Sequence, residues 1–304
     1  MIVVAGEALV DLVPRGDALL PLLGGSPFNV AVALRRLEVA TAYLGRCSTD
    51  GLGRALRERL AQEGVDLGLV ELTQDPTTLA LVELDPDGQA SYGFYVAGTS
   101  AAGLHEAELP ELAGGAALHV SLGAVTLRTA PAGRALTALL EREGDRRVVS
   151  LDPNVRPAVL DDPEAYADEL AGVLPACALV KASEEDLATL HPARAPLAVA
   201  RDWAAAGPEL MVLTRGGAGA VAITAAGEVA VPAVEVEVVD TVGAGDAFTA
   251  GLLAELDRRG RLTSRAALAG IGEEELQAAL TSASRVAAMA CTRAGADPPR
   301  LAEL

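Results

Sequence analysis

The sequence predicts an α/β fold in which helices cover both faces of one large, mainly parallel sheet. Short runs rich in β-branched residues alternate with longer segments rich in Ala, Leu, Arg and Glu, and such alternation is typical of βαβ units. The chain has 304 residues, of which 51% are hydrophobic, and this is enough to bury one large core. We therefore expect a single domain that spans residues 1–304.

The predicted strands and helices follow one another along most of the chain. Strand-like runs occupy residues 2–6, 40–45, 67–72, 117–122, 146–152, 178–182 and 209–214. Helical segments are expected at residues 27–37, 51–64, 130–143, 184–190 and 196–207, with further helix towards the C-terminus. Because helices join most consecutive strands, the sheet should be largely parallel.

Two segments depart from this alternation. Residues 77–98 predict two strands joined by the turn DPDG, in which Pro and Gly suit a tight reversal, and residues 7–25 predict a further extended segment. From the pattern alone, an ordinary surface hairpin explains these segments as well as a lid does. If they form a lid, segments 8–26 and 73–100 would build a small sheet over a ligand pocket.

Charge and hydropathy argue against several classes of function. The formal net charge of -18 argues against broad attachment to nucleic acid or to an anionic membrane, since both require clustered Lys and Arg. The apolar runs are too short to cross a membrane, and the N-terminus lacks the features of a signal peptide, so we expect a cytoplasmic protein. Cys47, Cys177 and Cys291 are too widely scattered for a zinc site or a disulfide framework.

A single lysine, Lys181, stands among 24 basic residues, and all the others are arginine. Lysine is mostly found on protein surfaces, so a solvated surface position is the first interpretation and contact with an anionic ligand is the alternative. An acidic chain has to bind any anionic ligand through a few well-aimed groups. That requirement keeps the alternative open.

Residues 240–248, DTVGAGDAF, predict a turn between a strand and a helix. Helix N-termini offer unpaired N–H groups, and Gly243, Ala244 and Gly245 carry too little side chain to keep a phosphate away from them. The turn is therefore a candidate anion hole. Asp246 has two interpretations, a helix cap or the base that accepts a proton from an attacking hydroxyl.

The stretch DTVGAGDAF resembles the C-terminal signature of the ribokinase-like (PfkB) carbohydrate kinases. Other segments are similar to that family in the same order, with GEALVDLVP and GGSPFNVAVALRRL near the N-terminus and DPNVRP, VKASEEDL and LTRGGAGA further on. The resemblance covers nearly the whole chain. It implies a three-layer αβα fold with a small β-sheet lid, ATP and Mg²⁺ as cofactors, and a small sugar as the acceptor.

The resemblance implies a role for each matching residue. Asp246 is implied to be the general base, and the backbone of Gly243, Ala244 and Gly245 is implied to form the anion hole. The residues implied to contact the acceptor are Asp11, Gly24, Gly25, Asn29 and Arg156. A solvated carboxylate, an ordinary turn, a helix cap and a residue that holds a loop are the structural alternatives for these positions.

For the nucleotide, the resemblance points to Lys181, which would explain why this one lysine is present. The other residues implied to contact ATP are Asp186, Thr214, Gly216 and Gly219. The family's NxxE element, which orders magnesium-linked water, is SEED at residues 183–186, and this departure leaves the residues on the magnesium side open. Asp240 corresponds to a position beside which relatives often hold a monovalent cation such as K⁺.

Among the branches of the family, the sequence looks closest to the fructokinase-like one, so fructose is the expected acceptor. Ser26 replaces a Lys often found after Gly-Gly, and Val96 replaces an Arg of the keto-acid kinases. Both replacements favour an uncharged acceptor. Ribose, keto-deoxygluconate and a nucleoside remain alternative acceptors, and a non-catalytic sugar or nucleotide sensor remains an alternative function.

Two other enzyme classes lack their motifs in this chain. No GxGxxG follows the first strand, which argues against a nicotinamide dehydrogenase, and no GxxxxGK[ST] occurs, which argues against a P-loop kinase. The resemblance implies a sugar and ATP as partners, and the net charge of -18 argues against nucleic acid or a membrane. The resemblance also implies a homodimer that pairs through the lid.

Overall fold

The central sheet has nine strands and confirms the predicted mainly parallel architecture. The computed structural model describes residues 1–84, 90–112, 114–115, 117–121, 131–157, 160 and 162–304. The strands are β1 (Ile2–Ala5), β4 (Thr41–Ser48), β5 (Asp66–Thr73), β8 (Ala117–Ser121), β9 (Val149–Asp152), β10 (Leu179–Ser183), β11 (Leu210–Thr214), β12 (Ala220–Thr224) and β13 (Gly227–Val231). Their order is β13-β12-β11-β10-β9-β8-β1-β4-β5. Among the strand pairs of this sheet that the structure describes, β11–β12 and β12–β13 are antiparallel and the others are parallel.

A second, smaller sheet contains the two segments that depart from the βα alternation. Its strands are β2 (Leu9–Arg15), β3 (Ala18–Gly24), β6 (Leu79–Leu84) and β7 (Ala90–Tyr95). They lie in the order β3-β2-β6-β7, with β2 and β6 parallel and the outer pairs antiparallel. The prediction of a small separate sheet is thus confirmed. The predicted turn at residues 85–88 lies outside the described residues.

Helices pack on both faces of the central sheet, which completes the predicted three layers. They are α1 (Ser26–Arg36), α2 (Gly51–Gln62), α3 (Ala132–Gly144), α4 (Pro163–Val173), α5 (Glu184–Leu190), α6 (Pro196–Ala205), α7 (Ala244–Arg258), α8 (Arg265–Ala269) and α9 (Glu273–Cys291). Apolar residues of α1, α7 and α9 form one core, and those of α3 to α6 form another. In β1, Ile2 and Val4 enter the first core while Val3 and Ala5 enter the second, because side chains alternate across a strand.

The starts of α1 and α7 determine where the site residues lie. Gly25 is the N-cap of α1, so Ser26 is the first helical residue and its hydroxyl does not cap the helix. Gly243 is the N-cap of α7 and adopts a left-handed φ of 75°. Asp246 is therefore the third residue of α7, and no side-chain hydrogen bond caps this helix.

Within the described ranges, none of the helices combines the length and the hydrophobicity that a membrane crossing requires.

Candidate active site

The candidate site lies at the carboxyl ends of the central strands, where ligands bind in open α/β sheets. Ser121 ends β8 and Asp152 ends β9, and the ammonium of Lys181 on β10 lies 3.0 Å from Oδ2 of Asp152. Both members of this ion pair are buried. The hydroxyl of Thr249 on α7 lies 3.4 Å from the same Asp152 oxygen, which places the start of α7 over these strand ends.

Asp246 is half-buried, and both of its carboxylate oxygens accept hydrogen bonds from α1. Ser26 Oγ donates to Oδ1 at 2.6 Å, and Asn29 Nδ2 donates to Oδ2 at 2.9 Å. Burial raises the pKa of Asp246 above its ordinary value; the two hydrogen bonds act in the opposite direction, and the charge of Asp152 adds to the rise. These side-chain bonds are long-range contacts, so the capping interpretation does not describe this carboxylate.

The turn before α7 keeps several amides available. Ala244 N–H donates to the carbonyl of Thr241 at 3.2 Å, so this amide is already engaged. The N–H groups of Gly243, Gly245 and Asp246 have no hydrogen-bond partner among the described residues. The turn also lies against the lysine, since a Cβ added to Gly245 would be 3.3 Å from Nζ of Lys181.

The C-terminal segment supports this turn from behind. A Cβ added to Gly243 would lie 2.8 Å from Cβ of Ala296, so the two backbones are in close contact. Asp240 accepts hydrogen bonds from the amides of Val242 at 3.0 Å and Gly295 at 2.7 Å. The carboxylate of Asp240 therefore connects the turn to the segment after α9, and its role towards a monovalent cation stays a prediction.

On the other side of Asp246 lie the residues predicted to hold the acceptor. Burial raises the pKa of Asp11 to about 6; the charge of Arg156 opposes the rise and the charge of Asp246 adds to it. A Cβ added to Gly24 would lie 2.8 Å from Oδ2 of Asp11. Gly25 has a φ of 103° and would clash with a backbone carbonyl if it carried a Cβ, so only glycine suits this position.

The residues predicted to contact ATP fall into two groups. Lys181, on β10, forms the first group and lies beside the turn that precedes α7. Thr214, Gly216 and Gly219 form the second group, on β11 and in the loop after it. Thr214 ends β11 next to Ser183 of β10, and Gly216 and Gly219 bracket the 3₁₀ turn that leads from β11 to β12.

Asp186 differs from the others because its carboxylate is buried and used within the protein. It accepts hydrogen bonds from the amide of Val155 at 2.8 Å and from the amide and hydroxyl of Ser183 at 2.8 Å and 2.6 Å. This side chain thus fixes the start of α5 to the loop after β9.

Three site residues were missed by the sequence reasoning as functional candidates: Asp152, Ser121 and Thr249. A signal existed for Asp152, because it ends a predicted strand of the parallel sheet, at the edge where ligands bind. No local signal exists for Ser121, whose partner Ser26 is 95 positions away in the chain.

The arrangement brings together two groups that a phosphoryl transfer uses, a proton acceptor and an anion site. A carboxylate with a raised pKa lies where it can accept a proton from a hydroxyl held near Asp11. Unpartnered amides at a helix N-terminus, with one ammonium beside them, can bind and neutralise phosphate oxygens. Among the described residues, no group of three or more His, Cys, Asp and Glu side chains is arranged to hold a metal ion.

Comparisons with known proteins agree with this chemistry. Residues 2–302 match the sequence profile of the pfkB family carbohydrate kinases. A fructokinase of Rhizobium leguminosarum bv. trifolii is 40% identical over 283 residues, which cover 91% of this chain and 86% of the relative. A crystal structure of fructokinase from Vibrio cholerae O395, with fructose, ADP and calcium bound, superposes with a TM-score of 0.83 at 30% identity, covering 97% of this chain and 94% of that one. Aminoimidazole riboside kinase from Salmonella enterica, complexed with aminoimidazole riboside and an ATP analogue, gives 0.84 at 28% identity, covering 97% and 94%.

Proposed function

The chain belongs to the pfkB family and is an ATP-dependent carbohydrate kinase, and on that premise we propose that it transfers the γ-phosphoryl group of ATP to a hydroxyl of free fructose. One observation carries the proposal: the carboxylate of Asp246 lies beside a turn with unpartnered amides and beside the buried Lys181. A proton acceptor and an anion site are therefore adjacent. The fructokinase relatives support fructose as the acceptor.

In the proposed reaction, Asp246 accepts the proton of the attacking fructose hydroxyl while the oxygen of that hydroxyl bonds to the γ-phosphorus. The bond between that phosphorus and the bridging oxygen breaks, and ADP leaves with the electron pair. The amides of Gly243, Gly245 and Asp246 hold the charge on the transferred group, together with Lys181. Burial raises the pKa of Asp246, and this makes the carboxylate a better proton acceptor at neutral pH.

The charges around the acceptor position favour an uncharged sugar. Two carboxylates, Asp11 and Asp246, lie there with one guanidinium, that of Arg156. An acceptor with its own carboxylate or phosphate would meet this excess of negative charge. A nucleoside is the second candidate, because the riboside kinase superposes as well as the fructokinase does.

Magnesium is proposed to enter with ATP. Mg²⁺ is commonly bound through substrate phosphates, waters and one or two carboxylates rather than by an all-protein cage. The described residues fit that mode, since they contain no dedicated cluster of ligands and the carboxylate of Asp186 is already engaged. When bound, the ion would neutralise phosphate charge; the residues of the chain position the acceptor and accept its proton.

The small sheet is proposed to act as a lid and as the contact between two subunits. Leu19, Leu20 and Leu22 of β3 and Tyr95 of β7 are exposed by 38% to 60%. Apolar side chains that are exposed on the edge strands of a small sheet favour burial against another surface. Closure of this sheet over the acceptor would also exclude water from the reacting phosphate.

A panel of acceptors with the Asp246→Asn variant tests the proposed activity. Fructose, ribose, keto-deoxygluconate and a nucleoside are each supplied with Mg·ATP, and ADP formation and calorimetric binding are measured. We expect fructose to be phosphorylated best, and Asp246→Asn to lose roughly 10²-fold to 10⁴-fold in kcat while it still binds fructose. Asp257→Asn, near the other end of α7, is the matched control and should behave like the parent.

Two results would contradict the proposal. A near-parent rate for Asp246→Asn would show that this residue is not the base. Binding of sugar and ATP by the parent protein without any product would favour the sensor over the kinase.

A further inference from the structure

We propose that Ser121 and Ser26 form a buried hydroxyl relay that positions the base Asp246 for proton transfer. Ser121 Oγ donates to Ser26 Oγ at 2.9 Å, and Ser26 Oγ donates to Oδ1 of Asp246 at 2.6 Å. Both serines are buried. The inference rests on the proposed function, because it takes Asp246 to be the base.

The direction of the relay follows from the chemistry of its members. An ionised carboxylate only accepts hydrogen bonds, so the hydroxyl proton of Ser26 has to be donated to Asp246. The oxygen of Ser26 can then only accept, and the proton of Ser121 supplies that bond. Hydrogen bonds in such a chain polarise one another, so the donation from Ser121 makes Ser26 a stronger donor to the carboxylate.

The fold brings the three residues together from distant parts of the chain. Ser121 is the last residue of β8, and Ser26 is the first residue of α1 because Gly25 supplies the cap. Asp246 lies 220 positions after Ser26 in the sequence. The relay therefore ties the base to the end of the sheet as well as to α1.

The relay leaves the carboxylate in a defined orientation. Oδ1 is held by Ser26 and Oδ2 by Asn29 at 2.9 Å, so rotation of the carboxylate would break both bonds. Each carboxylate oxygen has two lone-pair sites. One site on each oxygen thus remains for the acceptor hydroxyl, in a plane that α1 and the relay determine.

The relay also favours the ionised form of the base against its surroundings. The charges that act on the pKa of Asp246 include the carboxylate of Asp152 on β9 and the ammonium of Lys181 on β10. The charge of Asp246 acts in turn on the pKa of Asp11 on β2, as does the charge of Arg156. Burial and the Asp152 charge raise the pKa of Asp246, and the Ser26 hydrogen bond is the largest of the opposing effects. Without the relay, more of the base would be protonated near neutral pH.

Variants of the serines test the relay through the titration of Asp246 itself. The ¹³C shift of its carboxyl carbon, followed against pH in the ligand-free protein, gives its pKa without any turnover. We expect Ser26→Ala to raise that pKa by roughly one unit, the size expected for loss of a hydrogen bond to a charged group. Ser121→Ala should raise it by a smaller amount, roughly 0.2 to 0.5 unit, because only the polarisation of Ser26 is lost.

The acid limb of the kcat profile should move in the same direction and order, since kcat reports groups in the complex with substrate. Ser150→Ala is the matched control. Ser150 is a buried serine of the neighbouring β9, but it bonds His119 at 3.1 Å and not the relay. This variant should leave both the carboxyl titration and the acid limb where they are in the parent. Ser26→Thr keeps a hydroxyl, so the pKa of Asp246 in this variant should lie closer to the parent value than in Ser26→Ala.

The outcomes separate the relay from the proposed base. An unchanged carboxyl titration in both Ser26→Ala and Ser121→Ala would overturn the relay, whatever the activity of Asp246→Asn. A shifted titration with an unshifted acid limb would overturn its role in proton transfer. Equal shifts in Ser121→Ala and Ser150→Ala would show a general effect of losing a buried hydroxyl, and would overturn it too.

Discussion

The ion pair of Lys181 and Asp152 can be tested for its structural and ligand-binding roles separately. In the variant Lys181→Met, the carboxylate of Asp152 stays buried and loses the ammonium 3.0 Å away. Among the described residues, the amide of Asn154 at 3.1 Å and the hydroxyl of Thr249 at 3.4 Å are the hydrogen-bond donors that would still support it. Removing one partner of a buried pair typically costs about 3 to 5 kcal/mol, because it leaves an uncompensated charge. We expect a loss of that size in the free energy of unfolding.

The double variant Lys181→Met/Asp152→Asn removes both charges. Replacement of a whole buried pair by uncharged groups is often close to neutral, so most of the lost stability should return. Affinity for ATP should not return, because the ammonium beside the anion hole is still missing. Comparison of the single and double variants thus separates the effect of Lys181 on the free energy of unfolding from its effect on affinity for ATP.

Urea unfolding at pH 7 and calorimetric titration with Mg·ATP are the two measurements. Burial by itself lowers the pKa of Lys181. The charges of Asp152 and Asp186 and the hydrogen bond to Asp152 raise this pKa by more than burial lowers it, so the net change is upward. A cation whose pKa is raised by folding contributes its full stability below its unfolded pKa and loses it as pH rises through the folded value. The pair is therefore fully formed at pH 7.

Arg201→Met is the control, since Arg201 pairs with Glu228 at 2.6 Å on the exposed surface and such pairs add little to stability. Parent-like affinity for ATP in both Lys181 variants would refute the phosphate role. Parent-like stability of Lys181→Met would refute the buried-pair argument.

Three further expectations concern other parts of the fold and the site. Asp50 caps α2. Burial raises its pKa, but its hydrogen bonds outweigh burial and hold the pKa at about 2. Asp50→Ala should lower the free energy of unfolding in urea by about 1 to 2 kcal/mol at pH 7, and the difference between variant and parent should narrow as pH falls from about 4 towards 2. Gly243→Ala should lower the free energy of unfolding by about 1 to 2 kcal/mol and raise the KM for ATP, because φ is positive at this residue and Ala296 blocks a Cβ. Gly260→Ala is the control: Gly260 has a φ of 70° and open space around it, so this variant should change stability alone. Burial raises the pKa of Asp11 to about 6, so its ionisation should contribute to the acid limb of kcat/KM for fructose, together with that of Asp246. Asp11→Asn should lower kcat/KM and move the midpoint of that limb, and a parent-like value and midpoint in this variant would contradict a role of Asp11 in sugar binding.

The layered fold could be predicted because its signals are local. Each strand-like run and each helical segment carries its own periodicity, and βα alternation restricts the connections to a parallel sheet. The small sheet was also visible, since residues 77–98 depart from that alternation. Its pairing order could not be read, because a parallel contact between β2 and β6 depends on how the two segments meet in space.

The site was predictable only in part, for a related reason. Residues 240–248 carry their chemistry within one short stretch, whereas Ser121 and Asp152 gain theirs from partners on other strands and helices. Two details also needed coordinates. The Ala244 amide bonds to Thr241, which leaves its neighbours as the available donors. The carboxylate of Asp186 turns inward and accepts a hydrogen bond from the Val155 amide.

An acidic chain with one lysine has to bind a triphosphate without help from its overall charge. The net charge of -18 opposes the approach of ATP, and the charge of Lys181 is already balanced by Asp152 at 3.0 Å. In the proposed reaction, part of the local attraction comes from dipoles, namely the amides at the start of α7 that have no partner among the described residues, and the helix behind them. Fixed dipoles need no reorientation when charge moves onto the transferred group, so they stabilise the transition state more than a mobile surface cation would. In the proposed reaction, the N–H groups of Gly243, Gly245 and Asp246 therefore take part of the role that clustered lysines and arginines fill in more basic proteins.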